Sequence, residues 1–84
     1  VKIYKYEVNA GIVKAPILQV LDVQMQDGRP VMWALIDENA LQRTVEFAIY
    51  WTGQEINREV LKEFEYFKTL QDEVGLVWHV FIKR

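Results

Sequence analysis

Trp33, Trp51 and Trp78 give this chain three indoles in only 84 residues. Any one of them is explained by core filling, because a buried aromatic ring removes ~150–250 Å² from water. Taken together they exceed what so small an interior needs. Some indole is therefore expected to face a guest, either as a stacking wall for a base or as an anchor at a protein interface. His79 is the only histidine. Between Trp78 and Val80 it reads as a strand residue with a structural or ligand-contacting role. Proton transfer would need a nucleophile or carboxylate beside it. Arg29, Arg43 and Arg58 stand at turns or element starts, where a guanidinium could clamp a phosphate. Asp22, Asp37 and Asp72, with Glu7 and Glu46, supply carboxylates, but no spacing pairs them. The residues expected at a ligand site are Trp33, Asp37, Arg43, Trp51, Thr52, Gln54, Trp78 and His79.

Other chemistries lack their residues. The chain has no cysteine, which excludes disulfides, thiolate zinc sites and a cysteine nucleophile. One histidine and no thiol disfavour a transition-metal site. Thr52-Gly53-Gln54 lacks the second Gly, the Lys and the Ser/Thr of a phosphate loop. No G-x-S-x-G, H-E-x-x-H or calcium-loop pattern occurs. We therefore expect no catalytic residues, metal or cofactor. A net charge of -2 offers no basic footprint for duplex nucleic acid. No apolar run approaches the ~20 residues that span a bilayer. No signal-peptide apolar region is expected near Val1–Tyr6, and Val1 need not be the natural start.

These residues must be positioned by strands. Lys2 to Val8 is aromatic and β-branched, as a first strand requires. Asn9-Ala10-Gly11 is a turn, and Pro16 limits where the next strand begins. Ile17 to Gln26 and Val31 to Asp37 flank Asp27-Gly28, a hairpin signal because Gly accepts the positive φ of a tight turn. Met32, Ala34 and Ile36 share one face of the third strand, and Val31, Trp33 and Leu35 the other. Arg43 to Trp51 alternates as a half-buried fourth strand, with Val45, Phe47, Ile49 and Trp51 on one side and Thr44, Glu46, Ala48 and Tyr50 on the other. Ile56, Val60, Leu61 and Phe64 recur at helical spacing behind Asn57 as N-cap, which predicts a short helix over 57–63. Tyr66 to Asp72 is a weaker fifth strand. Leu76 to Lys83 is apolar on both faces, so a central or interfacial strand is expected. The fold expected is a single, mainly β domain (α+β at most). It is an antiparallel meander of about six strands curled into a partial barrel or small sandwich.

Four segments carry a resemblance. They are Lys2-Ile3-Tyr4-Lys5-Tyr6, the run from Ile17 to Asp37 with its Trp33-Ala34-Leu35-Ile36-Asp37 end, the Thr52-Gly53 turn, and Gly75-Leu76-Val77-Trp78-His79-Val80-Phe81. In this order, over nearly the whole chain, they resemble a family of small bacteriophage proteins of unknown function. That family has a W-A-L-V-D strand, a G-T-G-H turn and a V-W-H-V-F ending. Trp51 and Gln54 stand where the family has Gly and His, and Asn57 to Phe64 is longer than its usual connection. The resemblance implies a phage accessory protein of the host cytoplasm and supplies no activity.

Two binding functions are expected from these features. One is counter-defence by sequestering a nucleotide-type signal of the host, in a pocket between identical subunits of a homo-oligomer. The other is inhibition of a host enzyme or defence protein by direct docking. A small hydrolase dependent on His79 is the third option.

Overall fold

A computed structural model describes residues 1–84. Seven strands and one helical turn follow in the order β1 (Lys2–Glu7), β2 (Ile12–Ala15), β3 (Ile17–Gln26), β4 (Arg29–Ile36), β5 (Arg43–Trp51), α1 (Val60–Glu63), β6 (Phe64–Gln71) and β7 (Val77–Lys83). They form two antiparallel sheets, β1-β4-β3 and β2-β5-β7-β6, which do not close into a barrel. The mainly β architecture expected from the sequence is what the chain adopts, with non-sequential strand order. No helix is long and apolar enough to cross a membrane.

β2 was not expected. Its four residues sit between the Asn9–Gly11 turn and Pro16, with Val13 and Ala15 buried and Ile12 and Lys14 exposed. Pro16 cannot donate a ladder hydrogen bond, and it marks where the chain leaves one sheet for the other. Its carbonyl accepts the Asp37 N–H at 3.2 Å, pinning the crossover after β4 to the one after β2. Arg43 adds to this seam, donating through Nη1 to the Ile17 carbonyl at 3.3 Å. Further along β3, Lys68 Nζ meets Asp22 Oδ1 at 2.6 Å, tying the edge strands β6 and β3. Each of these strands is irregular beside that pair, with register shifts between Tyr66 and Lys68 and between Val20 and Asp22. Burial pushes the Asp22 carboxyl up, but hydrogen bonds from Lys68 and Gln24 outweigh it and hold the carboxyl below its ordinary value.

The core lies between the sheets. Ile17, Val23, Met32, Ala34 and Ile36 come from the first sheet, and Val13, Ala15, Val45, Phe47, Leu70 and Val80 from the second. β4 buries Met32, Ala34 and Ile36, as its alternation requires, and leaves Trp33 and Leu35 half-buried on the far face. The Asp27-Gly28 hairpin forms as expected, with φ of 52° and 75° and Gln26 opposite Arg29. β7 is central, between β5 and β6.

The helix over 57–63 is shorter than expected, being one turn over Val60–Glu63. Asn57 turns the chain, its Oδ1 accepting the Glu59 N–H at 2.9 Å. None of the four helical residues is fully buried, Val60 being half-buried, and a turn that packs so little does not propagate.

Candidate functional site

At one end of the sandwich β5 finishes, β7 begins and β6 runs out into the loop 72–76. Trp51 stands directly opposite Trp78 in the β5–β7 register, and their rings meet edge to face with centroids 5.7 Å apart. Burial fades along β5. Val45 and Phe47 are sealed, Ile49 is half-buried, and Trp51 is 53% exposed. The strand has by then passed beyond the core, so the last inward-facing residue faces open space. Trp51, Thr52, Gly75, Leu76, Val77 and Trp78 line an open, largely apolar cleft of about 450 Å³.

Two polar clasps fix the cleft walls. In the first, the Trp51 N–H donates to Gln54 Oε1 at 3.2 Å and the Gln54 N–H returns to the Trp51 carbonyl at 3.1 Å. Gly53 supplies the φ of 92° that this turn needs. In the second, Asp72 organises the loop. Its Oδ1 accepts the N–H groups of Val74 and Leu76 at 3.0 and 2.9 Å, and its Oδ2 accepts Trp78 Nε1–H at 2.9 Å. The bond from the Trp78 indole, with those from the loop backbone, holds the Asp72 carboxyl below its ordinary value. The rim indole is thereby fixed in orientation, and the loop that carries Leu76 is fixed with it.

On the outward face of the same sheet, Tyr50, His79 and Thr69 occupy one cross-strand row. Both imidazole nitrogens are engaged, Nε2 with Thr52 Oγ1 at 2.8 Å and Nδ1 with Thr69 Oγ1 at 3.0 Å. Thr69 Oγ1 lies 2.8 Å from the Tyr66 hydroxyl, which extends the chain by one link. Phe81 packs edge-on against both Tyr50 and Tyr66, at 6.1 and 6.0 Å. Thr52 therefore belongs to both features, lining the cleft and holding His79. No carboxylate joins this hydrogen-bond chain, and no three His, Asp or Glu side chains converge as a metal site requires.

Of the residues expected at a site, the fold gathers Trp51, Thr52, Gln54, Trp78 and His79 at this end. It places the other three elsewhere. Trp33 is on the other sheet, opposite Lys5 and Asp22. Arg43 opens the strand that Trp51 closes, so about 26 Å of extended chain separates them, and its guanidinium is engaged at the sheet seam. Asp37 begins the crossover after β4, where its Oδ1 accepts the Asn39 N–H at 2.9 Å. Sequence reasoning missed Asp72, Leu76, Tyr66 and Thr69 as site residues. The Asp72-x-Val74-x-Leu76 spacing was the available signal for the first two, because an Asp side chain readily accepts the backbone N–H two residues on. Tyr66 and Thr69 acquire their place only through pairing of β6 with β7.

Fold and site together define a small two-sheet antiparallel β domain with an aromatic cleft at its open end. The model of a domain of unknown function, DUF7352, matches residues 1–84, and the chain belongs to that family. No curated protein and no solved structure matches it.

Proposed function

We propose that this protein is a non-catalytic binding module that inhibits a host protein by docking it through the Trp51–Trp78 cleft. The observation that carries this is a half-exposed tryptophan, held beside a second one whose indole N–H is already satisfied, in an open apolar cleft lined by no lysine or arginine. Tryptophan in a desolvating pocket is the commonest kind of interface anchor. His79 is read as a structural residue, because no carboxylate joins its hydrogen-bond chain to orient the ring as a base and stabilise its charged form. The resemblance of its four segments to small phage proteins is the ground for reading it as a phage-encoded protein acting in the host cytoplasm; it supplies no activity, and counter-defence is the purpose proposed for the docking.

A second reading is favoured by the size of the cleft. Its volume of about 450 Å³ falls within the ~300–1,000 Å³ of small-molecule sites. A nucleotide-type signal would stack its base on the exposed face of Trp51. Its phosphates would then need cations from a second copy of the chain, which is why this reading requires a homo-oligomer.

Tagged protein incubated with host lysate, beside Trp51→Ala and Trp33→Ala variants, separates the cleft from the rest of the surface. A partner retained by the wild type and Trp33→Ala but lost with Trp51→Ala is the expected result. Equal retention by all three would end the docking proposal. Calorimetry against cyclic dinucleotides and ADP-ribose derivatives tests the second reading, and absence of heat with a folded sample would end that one.

A further inference from the structure

The loop 72–76 has a second hollow on its other flank. Met25, Asp27, Gly28, Asp72, Glu73 and Val74 surround about 260 Å³ there. The two hollows meet at Val74–Gly75, and the Trp78 indole bond to Asp72 passes between them. One is apolar and aromatic. The other brings the Asp27-Gly28 hairpin of the first sheet against the loop of the second and carries three carboxylates. Asp27 and Glu73 are exposed, and neither they nor Asp72 forms an ion pair within the chain. Lys5 and Arg29 line a neighbouring hollow, which Asp27 and Glu7 also line, and there Lys5 donates to Gln26.

Resting on the docking reading above, we infer that the occupant of this end is an extended segment of a partner protein with an apolar side chain beside a lysine or arginine. The apolar side chain enters between Trp51 and Leu76, and the cation lies by Asp27 and Glu73. Glu73 and Leu76 are three residues apart, so at most ~11 Å of backbone separates them. An extended segment rising ~3.3 Å per residue covers that span with three or four residues. Charge complementarity selects the cation. An anionic segment would meet three carboxylates, one of them held ionised by its hydrogen bonds. A neutral segment would leave the Asp27 and Glu73 carboxylates without a counter-charge.

A positional library of blocked, tryptophan-free hexapeptides tests this, read by the Trp51 and Trp78 indole N–H shifts, with the Trp33 resonance as internal control. Enrichment of Arg or Lys two to four positions from an apolar residue is expected. The Asp27→Asn/Glu73→Gln double variant should weaken those peptides by about three- to tenfold, as loss of rim charge pairs does. It should leave neutral apolar peptides unchanged. Asn tolerates the positive φ at position 27, so the variant keeps its hairpin. Apolar binding with no basic preference, or a basic preference that survives the double variant, overturns the inference and leaves the cleft as the binding site. If no peptide perturbs either indole in the folded protein, the docking reading falls with it.

Discussion

Truncating Trp51 decides whether this indole belongs to the core or to a partner. Trp51 is 53% exposed, so roughly half of the ~150–250 Å² that a buried aromatic hides is covered, or about 100 Å². At ~25 cal/mol per Å² that area stabilises the fold by about 2.5 kcal/mol, and less once the denatured chain's own burial is counted. The edge-to-face contact with Trp78 contributes about 1 kcal/mol at most. No sealed cavity is left, because the site opens to water. Trp51→Ala is therefore expected to cost about 2 kcal/mol, below the ~3–5 kcal/mol of a fully buried aromatic. Urea unfolding followed by far-ultraviolet circular dichroism measures this, with tryptophan emission as a second probe. A loss above about 4 kcal/mol would place Trp51 in the core by energetic criteria and refute the claim that its indole is available to a guest.

Two glycine substitutions should separate backbone crowding from backbone strain. Both Gly11 and Gly28 have positive φ, but a Cβ at Gly11 would lie 2.8 Å from the Phe47 carbonyl oxygen, while one at Gly28 meets nothing within 4 Å. Gly28→Ala should cost about 1–2 kcal/mol from conformation alone. Gly11→Ala should cost clearly more, because the β2–β5 approach must widen; equal costs in chemical denaturation would contradict this. The clasp at Asp72 predicts a pH dependence. Its carboxyl is lower when folded than when unfolded, so the stability it contributes is present above about pH 4 and lost as pH falls through the folded value. The Trp78 indole N–H resonance should move over that acid range in the wild type. In Asp72→Asn that movement should be absent, and its persistence would assign it to another group.

Several elements were legible because their signals are local. Asp27-Gly28 closes a hairpin through the conformations those two residues tolerate. Val45, Phe47, Ile49 and Trp51 alternate because their strand is half-buried, and the two apolar faces of Leu76–Lys83 announced a strand with neighbours on both sides. β2 escaped notice because four residues are too few to display a period; it forms because Val13 and Ala15 find the core against β5. The helix was overestimated for the opposite reason. Its apolar spacing was present, but Leu61 is exposed and Val60 only half-buried, and Phe64, the buried residue of that face, goes into β6, so only one turn is sustained.

The candidate site divides in the same way. Residue identity alone determined that the chain lacks thiol chemistry, carries only one imidazole, and holds more indole than a small core needs. Tertiary structure alone decided which indoles meet. Trp51 and Trp78 are 27 positions apart in the sequence and become opposite neighbours through the β5–β7 register, while Trp33 goes to the other sheet. Side-chain type and turn conformation are short-range properties written residue by residue. Which strand lies beside which is set by how the whole set of apolar faces is most completely buried, and no single segment carries that information.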